Sequence, residues 1–208
     1  MFLLLHKLLK ALMQNIWMIW ERCFAWSSRF RGSHISRFGI CTVMIKKYKG
    51  DPILCVDSTL IEQGDSIGEL HLDNRMILEY IRSEGVDRAA LKIARLGRQA
   101  MKQISQAYEH QPEFRNVNAL VGITLLHRGL THGLGFETQA MKPNLFRKVT
   151  TFYLRWLLAV MHPDGKLRIE RGSEALVPMV LIHTRTSLLA RFPPNPTSHN
   201  DNREMNAD

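Results

Sequence analysis

Glu69, His71 and Asp73 fall at alternate positions of a segment whose apolar pattern marks a β-strand, so the three side chains leave one face together. An imidazole flanked by carboxylates can move a proton. Histidine titrates near neutrality, and a neighbouring carboxylate favours its charged form. The cluster could act as a general base or a metal ligand. The same residues also suit a structural joint, in which Asp73 or Asn74 caps the following helix and His71 bonds a backbone carbonyl. On that reading, His71→Ala costs about 1–3 kcal/mol through an unpaired buried neighbour. Nothing else in the chain completes a known catalytic set. The catalytic residues are unassigned, with Glu69, His71 and Asp73 as candidates.

Other chemistry is thinner. His127 and His132 are five residues apart, which is not the spacing that puts two ligands on one helix face. The three cysteines, Cys23, Cys41 and Cys55, lack CxxC spacing, so neither a disulfide framework nor a structural zinc site is expected, and no metal is assigned. Cys41 and Cys55 could face each other across a hairpin, but buried thiols are the better reading. That usage suits a reducing compartment. The chain has no GxSxG elbow, Walker A motif or Rossmann fingerprint, and no cofactor is expected.

The elements that must position the candidates follow from periodicity. Residues 39–48 and 53–61 read as strands joined by the turn Lys49-Gly50-Asp51-Pro52. Gly64-Asp65 starts a third strand, 66–72, which leads into a short helix stopped by Gly85. Asp87 then caps a helix to about His110 whose core face is Ile93, Leu96, Ala100, Ile104 and Ala107. Residues 117–126 could be a buried strand or the start of a helix. A strand follows near 136–139. Pro143 then opens a helix to about His162, with Leu145, Val149, Phe152, Trp156 and Val160 as its core stripe. A strand at 176–182 and a short helix at 186–192 end the fold. The expected class is α/β (or α+β): a mixed sheet of five or six strands covered by two long helices, with an N-terminal amphipathic helix.

Charge is distributed unevenly along the 208 residues, whose net is +9. Residues 1–50 carry nine basic and one acidic residue, 51–90 carry three and nine, and 91–208 carry sixteen and nine. Arg88, Lys92, Arg95, Arg98 and Lys102 form a basic stripe opposite the core face of their helix. It is either a solvated face or an anion-binding one. No zinc-finger, RNP-like or helix-turn-helix pattern accompanies the charge, so sequence-specific nucleic-acid binding is not expected. In residues 2–26, Leu5, Leu9, Leu12, Ile16, Trp20 and Cys23 fall on one side of a helix, with His6, Lys7, Lys10, Gln14 and Glu21 on the other. The segment is too short and polar to span a bilayer. Trp17, Trp20 and Trp26 with nearby arginines suit a membrane interface, and packing on the protein or on a second copy is the alternative.

The stretch Gly64-Asp65-Ser66-Ile67-Gly68-Glu69-Leu70-His71-Leu72-Asp73-Asn74, with Leu134-Gly135-Phe136-Glu137 and the run Thr184 to Phe192, resembles the YkoP-like domain family. These are small bacterial proteins of uncharacterised function, with related domains appended to polysaccharide deacetylases. The resemblance covers residues 36–192 (the family domain); residues 1–35 hold the amphipathic helix and linker, and residues 193–208, rich in Pro, Asn and Ser with almost no apolar residues, read as a disordered tail. The resemblance implies an envelope-associated accessory or binding module linked to polysaccharide deacetylation. The alternative is an acyltransferase or hydrolase on an envelope substrate with His71 as base. Expected partners are an anionic membrane surface or envelope polymer, with self-association open. The expected location is the cytoplasm, peripheral at the inner face of the membrane.

Overall fold

The computed structural model describes residues 34–124, 133–161 and 177–194. The expected N-terminal helix with Trp17, Trp20 and Trp26, the pair His127 and His132, and the tail beyond residue 194 lie outside the described residues. Eight strands are present among the described residues: β1 His34–Phe38, β2 Cys41–Lys47, β3 Ile53–Leu54, β4 Leu60–Ile61, β5 Ser66–Leu72, β6 Ala119–Thr124, β7 Glu137–Ala140 and β8 Met179–Thr184. Four α-helices among the same residues accompany them: α1 Asn74–Glu84, α2 Val86–His110, α3 Leu145–Met161 and α4 Arg185–Arg191, with a 3-10 turn at Pro112–Phe114. Six strands form a mixed sheet in the order β1-β2-β5-β6-β8-β7, and β3 pairs with β4 apart from it. The class is therefore mixed α/β.

In this sheet β5 and β6 are parallel, and their neighbours are antiparallel. A parallel pair needs a long crossover, which α1 and α2 supply. Asp73 starts that crossover: its Oδ1 accepts from the backbone N–H groups of Arg75 at 3.0 Å and Met76 at 3.1 Å. Gly85 ends α1 and turns the chain into α2 at φ 80°, a conformation that favours glycine. Asp87 lies in the first turn of α2, and Gly85 takes the cap position expected of it.

Alternation in the strands sorts the sheet into two faces. Val43, Leu120 and Leu181 point to the face where Ala100, Ile104 and Tyr108 of α2 complete the main core, with Ile93 and Leu96 partly buried at its margin. Close packing there requires Gly68, because a Cβ would lie 2.8 Å from Val43 Cγ1 and 2.9 Å from Leu120 Cδ2. On the other face Ile67, Ala119 and Ile182 pack against Ile53, Cys55 and Ile61 of the β3–β4 ribbon. Cys41 belongs to the first core and Cys55 to the second, so both are buried free thiols. Burial pushes Cys41 up to about 12 and, with Glu137 and Asp57 nearby, Cys55 to about 11.

Several expectations need correction. β2 does not form a hairpin with residues 53–61; it pairs with β1 and β5. Residues 53–61 fold on themselves instead, because Cys55 and Ser58 bond across a turn with Ser58 at φ 66°. β1 starts at His34, two residues before the expected domain boundary, where no strand was expected. Residues 119–124 are a strand. Pro143 precedes α3, and Asn144 Oδ1 accepts from Arg147 N at 2.9 Å at its start. The largest difference concerns α3. Leu145, Val149 and Phe152, expected in the core, are 75%, 58% and 75% exposed, with Phe146 at 60%. Among the described residues, Trp156 and Leu157 pack against Leu78 of α1.

Candidate functional site

The strand register places Glu69 opposite Met44 and His71 opposite Thr42, on the sheet face away from α2. Lys46 leaves the same face, and its Nζ lies 2.6 Å from Glu69 Oε1. His71 Nε2 is 3.3 Å from Glu69 Oε2, within ion-pairing reach but not aligned as a hydrogen bond. Burial pushes the Glu69 carboxyl up, but His71 and Lys46 outweigh it and bring it down to about 2. Glu69 is thus an anion held between two nitrogen groups.

Asp73 does not join them. Its carboxylate is engaged at the start of α1, and its backbone N–H donates to Ile40 O at 2.8 Å. The expected cluster of three is a pair with a separate helix cap. The His71 side chain is 41% exposed, but its Nε2, turned towards Glu69, is shielded from water. Two hollows, of about 890 Å³ at residues 143–159 and about 300 Å³ at the end of α2, include none of the three residues. Among the described residues no group of three His, Cys, Asp or Glu is disposed to hold a metal.

The basic stripe lies along α2, opposite buried Ala89, Ala100, Ile104 and Ala107. Arg88, Arg95, Arg98 and Lys102 are exposed. Lys92 is more occupied: its Nζ pairs with Glu84 and lies 4.2 Å from the centre of the Tyr80 ring. The Glu84 partner raises its pKa. Arg98 lies 5.7 Å over the Phe192 ring. Arg88, Arg95 and Lys102 recur every seven residues, about 10.5 Å along the helix. No helix among the described residues is long and apolar enough to cross a membrane.

A second polar cluster was missed in the sequence. At the junction of β8 and α4, Thr184 caps the helix by accepting from Ser187 N at 3.0 Å, and its hydroxyl donates to Asp57 Oδ2 at 2.5 Å. His183 Nδ1 pairs with Ser187 Oγ at 2.5 Å. Burial pushes His183 down to about 4, so the ring is neutral near pH 7. Arg185 donates to Tyr108 O at 2.6 Å, Phe114 O at 3.0 Å and Arg115 O at 3.2 Å. Glu137 accepts from Val56 N at 2.9 Å. Thr184, a residue type favoured at helix N-caps, was a legible start signal for α4. The Asp57 and Arg185 contacts span 127 and about 70 residues, and no local pattern announces them.

The YkoP domain model matches residues 10–192 of this chain. An uncharacterised protein YkoP of Bacillus subtilis (strain 168) is 24% identical over 130 residues, covering 62% of this chain and 70% of the relative. No solved structure matches the chain.

Proposed function

Because this chain belongs to the YkoP domain family, whose matched relative is itself uncharacterised, we propose that it is an anion-docking accessory module of the cell envelope. The observation that carries this reading is the row Arg88, Arg95 and Lys102, exposed on a 25-residue helix whose opposite face is anchored in the core. A rigid row of cations suits a ligand whose negative charges recur along a surface or polymer. The resemblance to domains appended to polysaccharide deacetylases supports an envelope carbohydrate as that polymer. An anionic inner membrane surface is the competing source of charge. Lys92 contributes less, since Glu84 already neutralises it.

The test reverses Arg88, Arg95 and Lys102 to glutamate in the full chain. Binding is measured by sedimentation with an acidic polysaccharide and, separately, with phosphatidylglycerol vesicles. Folding should change by no more than about 1 kcal/mol, because exposed charges contribute little. Binding at low salt should be lost, and wild-type binding should weaken as salt rises. Unchanged binding by the variant would refute the docking face. A second reading, an acyltransferase or hydrolase using His71 as base, is favoured by the 3.3 Å approach of His71 to Glu69 on a partly open face. It requires turnover of an envelope substrate that His71→Asn abolishes without lowering the melting temperature.

A further inference from the structure

The apolar seam of α3 is unmatched among the described residues. Leu145, Val149, Phe152 and Trp156 recur at intervals of four, three and four, and only Trp156 is seen packed, on the Leu78 cluster of α1. The other three are more than half exposed. An apolar stripe of this width on a solvated helix needs a partner. The hollow of about 890 Å³ beside it has its described lining on residues 143–159 alone, including Phe152 and Trp156.

The same chain holds a second seam of matching period. Leu12, Ile16, Trp20 and Cys23 recur at four, four and three, the same helical period as Leu145, Val149, Phe152 and Trp156 at four, three and four. Two helical stripes with one period interlock along their length at a shallow angle. Lengths agree as well: residues 10–26 and the 17-residue α3 would each run about 25 Å as helices. The family match begins at residue 10, well before β1 starts at His34, so the matched region includes residues 10–33. The seven residues 27–33 can reach about 24 Å when extended.

We propose that residues 10–26 of this chain dock on α3 and cover Leu145, Val149 and Phe152, as an internal layer of the domain. Tethering favours this occupant over a second copy, because the segment meets α3 at the high effective concentration of a short linker. Its three tryptophans then serve packing. A membrane surface and a second copy are the rivals.

The experiment uses the full chain with a benzoylphenylalanine photocrosslinker in place of Phe152, an exposed position. The expected product has the mass of one chain, with the crosslink in the tryptic peptide 11–22, between Lys10 and Arg22. A product of two-chain mass, or a lipid adduct formed with phosphatidylglycerol vesicles in place of that peptide, would overturn the proposal. So would a crosslink confined to any other part of the chain. A companion protein carrying Leu12→Asp and Ile16→Asp should lose the internal product and become cleavable by trypsin at Lys10 and Arg22. Undiminished crosslinking to 11–22 in that protein would equally refute seam-to-seam packing.

Discussion

The Glu69–His71 pair on β5 and the His183–Ser187 pair at the start of α4 both set an imidazole against an oxygen. Their surroundings differ sharply: the His71 side chain is 41% exposed, whereas His183 is 1% exposed beneath Phe136 and Phe192. The chemically suggestive pair is half open: the His71 ring is partly exposed, but its Nε2, which faces Glu69, is shielded from water. The other joins β8, α4 and, through neighbouring Thr184 and Arg185, the β3–β4 turn and the end of α2. Exposure therefore separates a partly open pair, with one edge of its imidazole towards solvent, from a closed pair that fastens the fold. The residues of the family resemblance divide the same way: Asp73, Glu137, Thr184 and Arg185 are all engaged in joints.

The sharpest way to break this contrast is to cut the closed joint. Arg185→Ala leaves the carbonyls of Tyr108, Phe114 and Arg115 without the guanidinium that holds them. We expect a loss of about 2–4 kcal/mol by urea denaturation, since bonds to a charged donor are among the stronger ones. Lysine should recover only part, because an ammonium cannot span three carbonyls as the planar guanidinium does. A loss below that of a surface mutant would remove Arg185 from the joint.

The next effect is pH dependence. His183 has its folded pKa lowered from 6.5 to about 4, so as pH falls the unfolded chain takes up the proton first. The stability from its burial is complete above about 6.5 and is lost progressively between 6.5 and 4. The change over that window should be about 2–3 kcal/mol. His183→Asn, whose amide can still reach Ser187, should flatten it. A wild-type profile already flat from 6.5 to 4 would show that His183 is not buried as a neutral ring.

Local rules were enough for one side of this contrast and not for the other. Asp73 before an amphipathic run and Gly85 after it mark α1 in the sequence, because caps act within a few residues. The alternation of 66–72 gave the strand and its two faces for the same reason. β6 was undecidable because Leu120 and Val121 are covered from opposite sides, which erases alternation. The break at Cys55–Thr59 and the grip of Arg185 depend on partners distant in sequence, which periodicity does not encode. On α3 the stripe itself was legible. Its partner was not, since an apolar period says that a face will be covered but not by what.

The smallest effects belong to the open pair, and they test the comparison from its weaker side. His71→Ala should cost less than about 1 kcal/mol, as expected for a half-exposed ion-pair partner. Glu69 contributes in a different pH window from His183. Its folded pKa is lowered from 4.5 to about 2, so its stabilisation is present above about 4.5 and lost as pH falls towards 2. Glu69→Gln should therefore reduce the loss of stability across that acid range while leaving the 6.5-to-4 profile of His183 largely intact. Thermal melts of both variants at about pH 7, pH 4.5 and pH 3 separate the two windows. If His71→Ala instead destabilised the protein as much as Arg185→Ala, the β5 pair would fasten the fold as firmly as the α4 joint does. The two clusters would then both be joints, and the base reading of His71 would lose the access to substrate that it requires.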